Sequence, residues 1–346
     1  MGFLYRHSPR VNAKLGSFWR AARLYRADGS FRSCGALLSH LGGRALRRRM
    51  PTWMTIGVTF RCQCRCVHCY AFGRFDEGRD ELTTAQVKTL LDEARSLGVL
   101  KVAFAGGEPL LREDIVELVA HGHGLGLLTR LSTNGLLLTR DTVLRLKEAG
   151  LTMCGVSVDD AEAAVHDRLR GLAGLHAKAI QGMDNLAEAG ILCEILTYAS
   201  KRNVPGGLKK IFALGKEHGA ASVFAFFPAA AGRWNDAFAQ LLNDEEKNQV
   251  WALQDLRCVH VDVPGPRLTC CMFEKSLLYV SAYGDVTPCP FVPYAMGRVQ
   301  EHTLSEIWQR FCEEPMAAHR GDCVLNDTQG RKQLSRHLGA IEADLR

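Results

Sequence analysis

From residue 53 onward, short apolar runs alternate with longer stretches in which apolar positions recur at helical spacing. Each run is followed by a helical pattern, which predicts one strand–helix unit. The six predicted strands are WMTIGVTF (53–60), KVAFAGG (101–107), GLLTRLSTN (126–134), TMCGVSVD (152–159), ILCEILTYA (191–199) and SVFAFFP (222–228). Continuous alternation predicts parallel strands joined by right-handed crossovers. Six units fit a doubly wound sheet or an incomplete barrel, and in a barrel the loops after the strands carry the chemistry.

The pattern changes at both ends of the chain. Before residue 51, two amphipathic stretches, LGSFWRAARLYR and GALLSHLGGRALRRRM, predict helices separated by a polar break. After residue 257, the runs SLLYVSA and DVTPC flank a turn, TLSEIWQRF predicts a helix, and the tail is helical and charged. We therefore divide the chain into a basic helical arm (1–50), a strand–helix body (51–257) and a small α+β region with a helical tail (258–346).

Charge is distributed unevenly between these parts. Residues 1–50 hold eleven Lys and Arg and a single acid, Asp28, a net charge of +10, so the remainder of a chain with net charge +6 carries −4. An acidic body argues against a nucleic-acid partner. The arm suits peripheral contact with a membrane or an anionic substrate. The alternative is a helical extension that packs on the body with its arginines in water.

The cysteine count requires an explanation. No apolar run has the length of a membrane span and no secretory signal is evident, so we expect a cytoplasmic protein. Disulfides are rare in that compartment, which leaves metal binding or catalysis for most of the thirteen cysteines. Cys34, Cys154 and Cys193 lie among apolar or helical residues and are expected to be buried. The other ten form two groups, at 62–69 and 258–323.

The first group is the sequence RCQCRCVHCY, which follows the first predicted strand. Cys62, Cys66 and Cys69 have the spacing C-x3-C-x2-C. Tetrahedral zinc usually takes four ligands in two separated pairs. A 4Fe–4S cluster binds one thiolate per iron, so three thiolates leave one iron open to a small molecule. Cys64 would be a fourth ligand only if the loop folded tightly, and we interpret it as a bystander.

This motif resembles that of the radical S-adenosylmethionine (SAM) superfamily, in which C-x3-C-x2-C follows the first strand of a partial (β/α)6 barrel of the TIM type. The resemblance assigns a 4Fe–4S cluster to Cys62, Cys66 and Cys69, with SAM on the open iron. The position before the last cysteine is typically aromatic in the family, and here it is His68.

Three further stretches resemble family segments that bind SAM or line the substrate cavity. The sequence GGEPLLR ends the second strand, and the resemblance assigns binding of the SAM amino group to Gly106, Gly107 and Glu108. STNG and VSVDD end the third and fourth strands. FPAAAGR, after the sixth strand, resembles a loop that closes the site. The cavity residues expected from the third and fourth strands are Ser132, Asn134, Ser157 and Asp159.

The second cysteine group resembles the C-terminal auxiliary-cluster domains of the same superfamily, of the SPASM and shorter twitch types. The recognisable parts are GDVTPC and LSEIW. The chain lacks the dense later run of cysteines of the longer type, so we expect one auxiliary 4Fe–4S cluster of twitch type. Its expected ligands are Cys271, Cys289 and Cys323. We choose Cys258 as the fourth, with Cys270 and Cys312 as alternatives.

The resemblance implies an enzyme that cleaves SAM reductively to a 5′-deoxyadenosyl radical and abstracts hydrogen from a carbon. Low-potential donors such as flavodoxin or ferredoxin are the expected reductants. A small-molecule or glycoside substrate, undergoing epimerisation or dehydrogenation, is favoured over a ribosomally made peptide because the arm is too short for a leader-binding domain. An epimerase would need a thiol hydrogen donor, for which Cys270 is the candidate. An iron–sulfur electron carrier and a zinc-stabilised interaction module are the alternatives from other classes.

Overall fold

The fold was analysed in a computed structural model, which describes residues 22–45, 49–76, 78–204, 206–253, 259–261, 272–314 and 323–345. Six consecutive parallel strands form its centre and confirm the predicted partial barrel. Each pairs with the next one along the chain. They are β1 (Trp53–Thr59), β2 (Lys101–Gly106), β3 (Leu128–Thr133), β4 (Met153–Ser157), β5 (Leu192–Tyr198) and β6 (Ser222–Phe226).

Helices connect these strands as the sequence periodicity predicts. Thr83 caps the first crossover helix in a reciprocal capping box with Gln86. One short helix, which the periodic pattern does not predict, lies between the fourth strand and the long helix that follows it. The helices are α3 (Thr84–Ser96), α4 (Ile115–Gly124), α5 (Arg140–Glu148), α6 (Ala163–Arg170), α7 (Leu175–Glu188), α8 (Gly207–Glu217) and α9 (Asp244–Trp251).

The C-terminal region adds strands to both edges of the barrel sheet. The short strand β7 (Val259–Val261) pairs in parallel with β6. At the other edge β8 (Leu277–Val280) pairs in parallel with β1, and β9 (Asp285–Thr287) and β10 (Gly297–Arg298) follow in antiparallel order. The ten strands of the described residues therefore form one open sheet, which continues across the predicted boundary at 257/258.

Two helices of the C-terminal region complete the body. The predicted TLSEIWQRF helix is α10 (Leu304–Glu313), and the predicted helical tail is α11 (Thr328–Leu345). Trp308 is almost fully buried, and its Nε1–H donates to the carbonyl of Arg49 at 2.8 Å. This bond ties the end of the N-terminal arm to α10.

The N-terminal arm lies across the amino-terminal ends of the barrel strands. The short helix α1 covers residues 22–28, and α2 (Phe31–Ala45) starts earlier than its predicted counterpart. Arg32 donates to the carbonyl of Gly124 at 2.9 Å, and His40 Nδ1 lies 2.7 Å from the carbonyl oxygen of Gly98. Residues 1–21, with most of the first predicted helix, lie outside the described part.

The barrel core is apolar and fully buried, as the strand patterns predict. Met54, Ile56, Phe104 and Leu131 are inaccessible to solvent. The expected burial of the scattered cysteines is confirmed for Cys154 and Cys193, which are register partners on β4 and β5. It is wrong for Cys34, which is exposed because it lies on the outer face of α2. No helix of the described residues combines the length and hydrophobicity needed to cross a bilayer.

Candidate active site

The first cysteine loop leaves the carboxyl end of β1 and enters a large cavity in the barrel. Cys62, Cys66 and Cys69 all line this cavity, as does Cys64. The loop is held by backbone bonds to the end of α6, in which Arg65 N–H donates to the carbonyl of Arg170 and Val67 N–H to that of Leu169, both at 2.9 Å. The loop is therefore anchored to a second element of the barrel.

The four thiols lie in unequal electrostatic environments. A hydrogen bond from Cys64 lowers the pKa of Cys66 to about 6. Burial of the thiol acts against this shift, and the positive charge of Arg170 adds to it. A hydrogen bond from Cys64 also lowers the pKa of Cys62, whereas burial raises that of Cys69. Thiolates are the form that binds iron, so the loop favours the ligand form at two of its three predicted positions.

A buried ion network lies directly behind Cys66. Arg170 Nη1 lies 3.7 Å from Cys66 Sγ, and Arg170 Nε contacts Asp159 Oδ2 at 2.6 Å. Burial opposes ionisation of Asp159, but Arg170 and His68 outweigh it and lower its pKa to about 2. Burial lowers the pKa of His68 to about 4, so His68 is neutral at pH 7, with Nε2 3.3 Å from Asp159 Oδ2.

The glycine motif at the end of β2 packs against the cysteine loop through its backbone. Gly107 N–H donates to the carbonyl of Thr59 at 2.7 Å, and Glu108 N–H to that of Arg61 at 2.8 Å. A Cβ on Gly107 would collide with the Arg61 carbonyl, so only glycine allows this approach. Gly106 and Gly107 line the cavity, and their binding of the SAM amino group stays a prediction.

Glu108 lies behind the cavity wall, and its part in binding the SAM amino group stays a prediction. Its carboxylate is fully buried and is not among the groups that line the cavity. It accepts hydrogen bonds from Thr133 Oγ1 at 2.7 Å, from the backbone N–H of Asn134 at 2.8 Å and from that of Leu110 at 3.1 Å. Burial raises its pKa to about 7. Glu108 therefore joins the ends of β2 and β3 behind the wall. Asp159 likewise lies behind the wall, in the network with Arg170.

The other predicted pocket residues reach the cavity. Ser132, Asn134 and Ser157 all line it, together with His68. Asn134 Nδ2 donates to Gln63 Oε1 at 3.2 Å, which ties the end of β3 to the cysteine loop. Six of the eight predicted cofactor-binding residues thus line the same cavity. The other two, Glu108 and Asp159, are buried behind its wall.

The cavity has a volume of about 1630 Å³ and extends from the cysteine loop to α1 at the opposite end of the barrel. Aromatic side chains line it along its length. At the cysteine end Arg61, Arg65 and Arg233 line the mouth, and deeper inside Arg130 pairs with Glu194 at 2.5 Å. The aromatic lining residues are Trp53, Phe60, Tyr70, Phe72, Phe75, Tyr198, Phe224, Phe226, Phe227 and Phe291.

The second cysteine group opens into the same cavity. Cys289 and Cys323 both line it, while Cys312, in the last turn of α10, does not. The ring of Tyr70, next to Cys69, lies edge-on to that of Phe291 with centroids 5.7 Å apart. Cys258, Cys270 and Cys271 lie outside the described residues. Two of the four predicted auxiliary ligands therefore share a chamber with the first cysteine loop.

The loop after β6, which contains FPAAAGR, packs against the cysteine loop. Arg233 N–H donates to the carbonyl of Cys69 at 3.0 Å. Gly232 has a φ of +55°, and a Cβ there would collide with the same carbonyl. A glycine is needed at this close approach because of both the conformation and the space.

Sequence reasoning missed Arg170. Its helix α6 is short and was not predicted. Gly171 follows the helix directly and adopts the left-handed conformation of a C-cap. A glycine after Arg168 and Arg170 is the signal in the sequence that would have predicted a helix ending at Arg170. That cue would have placed a cation at the carboxyl end of the barrel but not its contact with Cys66.

The donor set and the space fit a 4Fe–4S cluster with SAM. Three thiols on one loop can bind three irons of a cube and leave the fourth open. The glycine-lined wall beside them continues into a cavity large enough for SAM and a further substrate. Within the described ranges, no three His, Cys, Asp or Glu side chains converge as a single metal ion requires. A cluster instead takes its thiolates at separate irons.

Comparison with known families gives matches in both regions. The model of the radical SAM superfamily matches residues 56–203, and that of an iron–sulfur cluster-binding domain, SPASM, matches residues 270–326. Together they imply a SAM-binding 4Fe–4S cluster and auxiliary iron–sulfur binding in the C-terminal region. A single auxiliary cluster of twitch type stays a prediction.

Curated relatives cover most of the chain. The AdoMet-dependent heme synthase of Methanosarcina barkeri (strain Fusaro / DSM 804) is 30% identical over 291 residues, 75% of this chain and 82% of the synthase. The Fe-coproporphyrin III synthase of the same organism is 35% identical over 297 residues, covering 75% of this chain and 74% of the synthase. The PqqA peptide cyclase of Gluconobacter oxydans (strain 621H) is 30% identical over 279 residues, covering 75% and 76%.

A solved structure agrees with the fold. Streptococcus suis SuiB bound to precursor peptide SuiA superposes with a TM-score of 0.64 at 16% identity, covering 86% of this chain and 70% of SuiB. At that identity the likeness concerns the fold alone. The cysteine loop on β1, the glycine motif on β2 and the extent of the matched relatives together establish that this chain belongs to the radical SAM superfamily.

Proposed function

We propose that this radical SAM enzyme acts on a small molecule that has a large apolar ring system and carboxylate groups, of the tetrapyrrole type. The carrying observation is the cavity, which is lined by ten aromatic side chains and, beside the cysteine loop, by the three exposed arginines Arg61, Arg65 and Arg233. Aromatic walls suit a flat apolar ring, and guanidinium groups suit carboxylates. The heme and Fe-coproporphyrin III synthase relatives support this substrate class. A tetrapyrrole belongs to the small-molecule substrates expected from the sequence. The proposal therefore keeps that expectation and gives up the glycosides that were included with it.

The residues of the chain would divide the work by position. When bound, the cluster and SAM supply the radical that abstracts hydrogen from a substrate carbon. Arg170 and Asp159 hold the loop around Cys66, and Gly106 and Gly107 let backbone approach SAM. The aromatic wall orients the ring of the substrate and excludes water. A flavodoxin or ferredoxin would supply the electron.

A peptide substrate is the second candidate. Its specific support is the PqqA peptide cyclase relative. Like the heme synthase, the cyclase is 30% identical to this chain over an alignment that covers 75% of it. The two candidates differ in what the cavity must bind. A tetrapyrrole would lie inside the barrel, whereas a peptide would enter through the mouth and extend outside it.

The test uses anaerobically reconstituted full-length protein with SAM and dithionite. Iron-coproporphyrin III and haem are added separately, binding is followed by the Soret band, and 5′-deoxyadenosine and porphyrin mass are measured after turnover. We expect tight porphyrin binding, observed as a shift of the Soret band. We also expect that 5′-deoxyadenosine forms only when iron-coproporphyrin III is present. No binding of either porphyrin would contradict the tetrapyrrole class. Full clusters without any 5′-deoxyadenosine would instead support an electron carrier.

A matched pair of variants tests the arginine mouth. Arg65→Gln/Arg233→Gln removes two cavity-lining charges, while Arg140→Gln removes an exposed charge at the start of α5. We expect the first to weaken porphyrin binding at least tenfold with SAM binding retained, and the second to leave both unchanged. Equal effects of the two variants would remove the mouth from the proposed substrate site.

A further inference from the structure

The helix α2 presents three of its four large apolar side chains to solvent, while small and polar side chains form its buried face. Phe31, Leu38 and Leu41 are 95%, 70% and 53% exposed. Ser33 and Ala36, on the opposite face, are about 1% exposed. Their spacing places the three large residues on one side of the helix. A helix that only covered a soluble protein would have the reverse arrangement.

Hydrogen bonds to the body hold α2 in this orientation. His40 is buried and bonds to the carbonyl of Gly98, and Arg32 bonds to that of Gly124. These contacts come from two separate barrel crossovers. The outward apolar face is therefore set by the packing of the inner face, and contiguous exposed apolar surface of this kind marks an interaction site.

The charge of the N-terminal arm that carries this face is positive. Asp28, the one acidic residue of the first fifty, has a side chain only 1% exposed. It accepts a hydrogen bond from Thr152 Oγ1 at 3.0 Å and lies 3.4 Å from His123 Nδ1, so its charge is turned inward. Arg32 on α2 is exposed, as are Arg26 and Arg49, which precede and follow the helix in the chain. The arm thus offers cations without an exposed carboxylate of its own.

We propose that α2 docks this enzyme on the surface of an anionic lipid membrane, with the face Phe31/Leu38/Leu41 inserted among the acyl chains near the headgroups. Exposed aromatic and leucine side chains flanked by arginine are the composition of interfacial helices. The complementarity of charge favours anionic lipid, and the apolar insertion favours a bilayer over a nucleic acid. This inference does not depend on the substrate class proposed above.

The test is cosedimentation of the full-length protein with vesicles. One set contains phosphatidylglycerol mixed with phosphatidylcholine and the other phosphatidylcholine alone. We expect binding to the anionic vesicles, weakened by added salt, and at least tenfold weaker partitioning for Phe31→Ser/Leu38→Ser/Leu41→Ser. The control Leu144→Ser/Phe238→Ser alters two exposed apolar residues elsewhere and leaves binding unchanged.

Three outcomes would overturn the proposal. One is the absence of binding to anionic vesicles, and another is equal binding by wild type and the triple serine variant. The third is a wild-type protein that does not bind vesicles but forms a concentration-dependent dimer in sedimentation velocity, which the triple variant does not form. This result would assign the face to contact with a second copy of the chain. Because the replaced side chains are exposed, the triple variant should keep the wild-type melting temperature.

Discussion

The guanidinium of Arg170 lies 3.7 Å from the sulfur of Cys66, although 104 residues separate them in the chain. The same side chain contacts Asp159 at 2.6 Å, and both members of this pair are buried. A cation is thereby held at one predicted cluster ligand by a buried carboxylate. This arrangement affects both the stability of the fold and the electronic environment of the cluster.

Removing the cation should destabilise the fold. Arg170→Met leaves Asp159 charged and buried without its main partner, so we expect the free energy of unfolding to fall by about 3–5 kcal/mol. Arg170→Met/Asp159→Leu should recover part of this loss. Lys88→Met breaks the surface pair with Glu117 and should cost less than about 1 kcal/mol. Urea unfolding of the anaerobic, cluster-free protein measures all three, and equal costs at the two sites would contradict a buried pair.

The same cation should influence the reduction potential of the SAM-binding cluster. Loss of a positive charge and a hydrogen bond beside Cys66 disfavours the added electron, so Arg170→Gln should shift the potential to more negative values. EPR-monitored titration of reconstituted protein measures this shift. Arg170→Lys keeps a charge and should lie between wild type and Arg170→Gln. An unchanged potential in both variants would confine Arg170 to a structural role.

Glu108 should make stability depend on pH. Its pKa is raised by burial from 4.5 to about 7, so between those values the folded protein holds a proton that the unfolded chain has released. Its contribution to stability is therefore full below pH 4.5 and is lost as pH rises through 7. The stability of wild type relative to Glu108→Gln should fall by about 3 kcal/mol across this window.

Urea unfolding of the cluster-free protein at several pH values checks this prediction. Glu148→Gln removes an exposed carboxylate on α5 and serves as the control for loss of a charge. A constant stability difference between wild type and Glu108→Gln from pH 4.5 to 8 would show that the Glu108 carboxyl is already ionised in the folded protein.

A methyl group on Gly107 should disturb the SAM side of the cavity. The added Cβ would collide with the carbonyls of Arg61 and Phe60, so Gly107→Ala must push the cysteine loop away from β2. We expect a loss of about 1–3 kcal/mol and weaker SAM binding. Gly35→Ala, in the interior of α2, meets no atom within 4 Å and should be neutral or stabilising by about 0.5–1 kcal/mol. Thermal unfolding and equilibrium dialysis with SAM test both variants.

The two cysteine groups should lose iron independently. Cys289→Ser/Cys323→Ser should remove about four irons per chain and leave SAM cleavage by dithionite intact. The triple variant of Cys62, Cys66 and Cys69 should lose a similar amount of iron and all 5′-deoxyadenosine. Cys34→Ser, at an exposed position, is the control. Full iron in Cys289→Ser/Cys323→Ser would show that these thiols bind no cluster.

The periodic pattern of the sequence determined the strand–helix order, and the motifs after β1 and β2 determined where the cysteines and glycines enter the barrel. Both are local features, because strand and helix periods and glycine turns depend on neighbouring residues. The tertiary structure decided what distant segments do together. It turns Glu108 toward Thr133 and Asn134, and it brings β8 beside β1 in parallel.

The face that α2 turns outward is the clearest case of this difference. Helical spacing within the predicted helix determined that Leu38 and Leu41 share a side, and Phe31 joins them because α2 begins four residues earlier than the predicted helix. Which side faces water depended on the bonds of His40 and Arg32 to crossovers far along the chain. The same holds for Arg170, whose position beside Cys66 results from the packing of α6 on the cysteine loop. Long-range packing selects among orientations that local sequence leaves equal in energy.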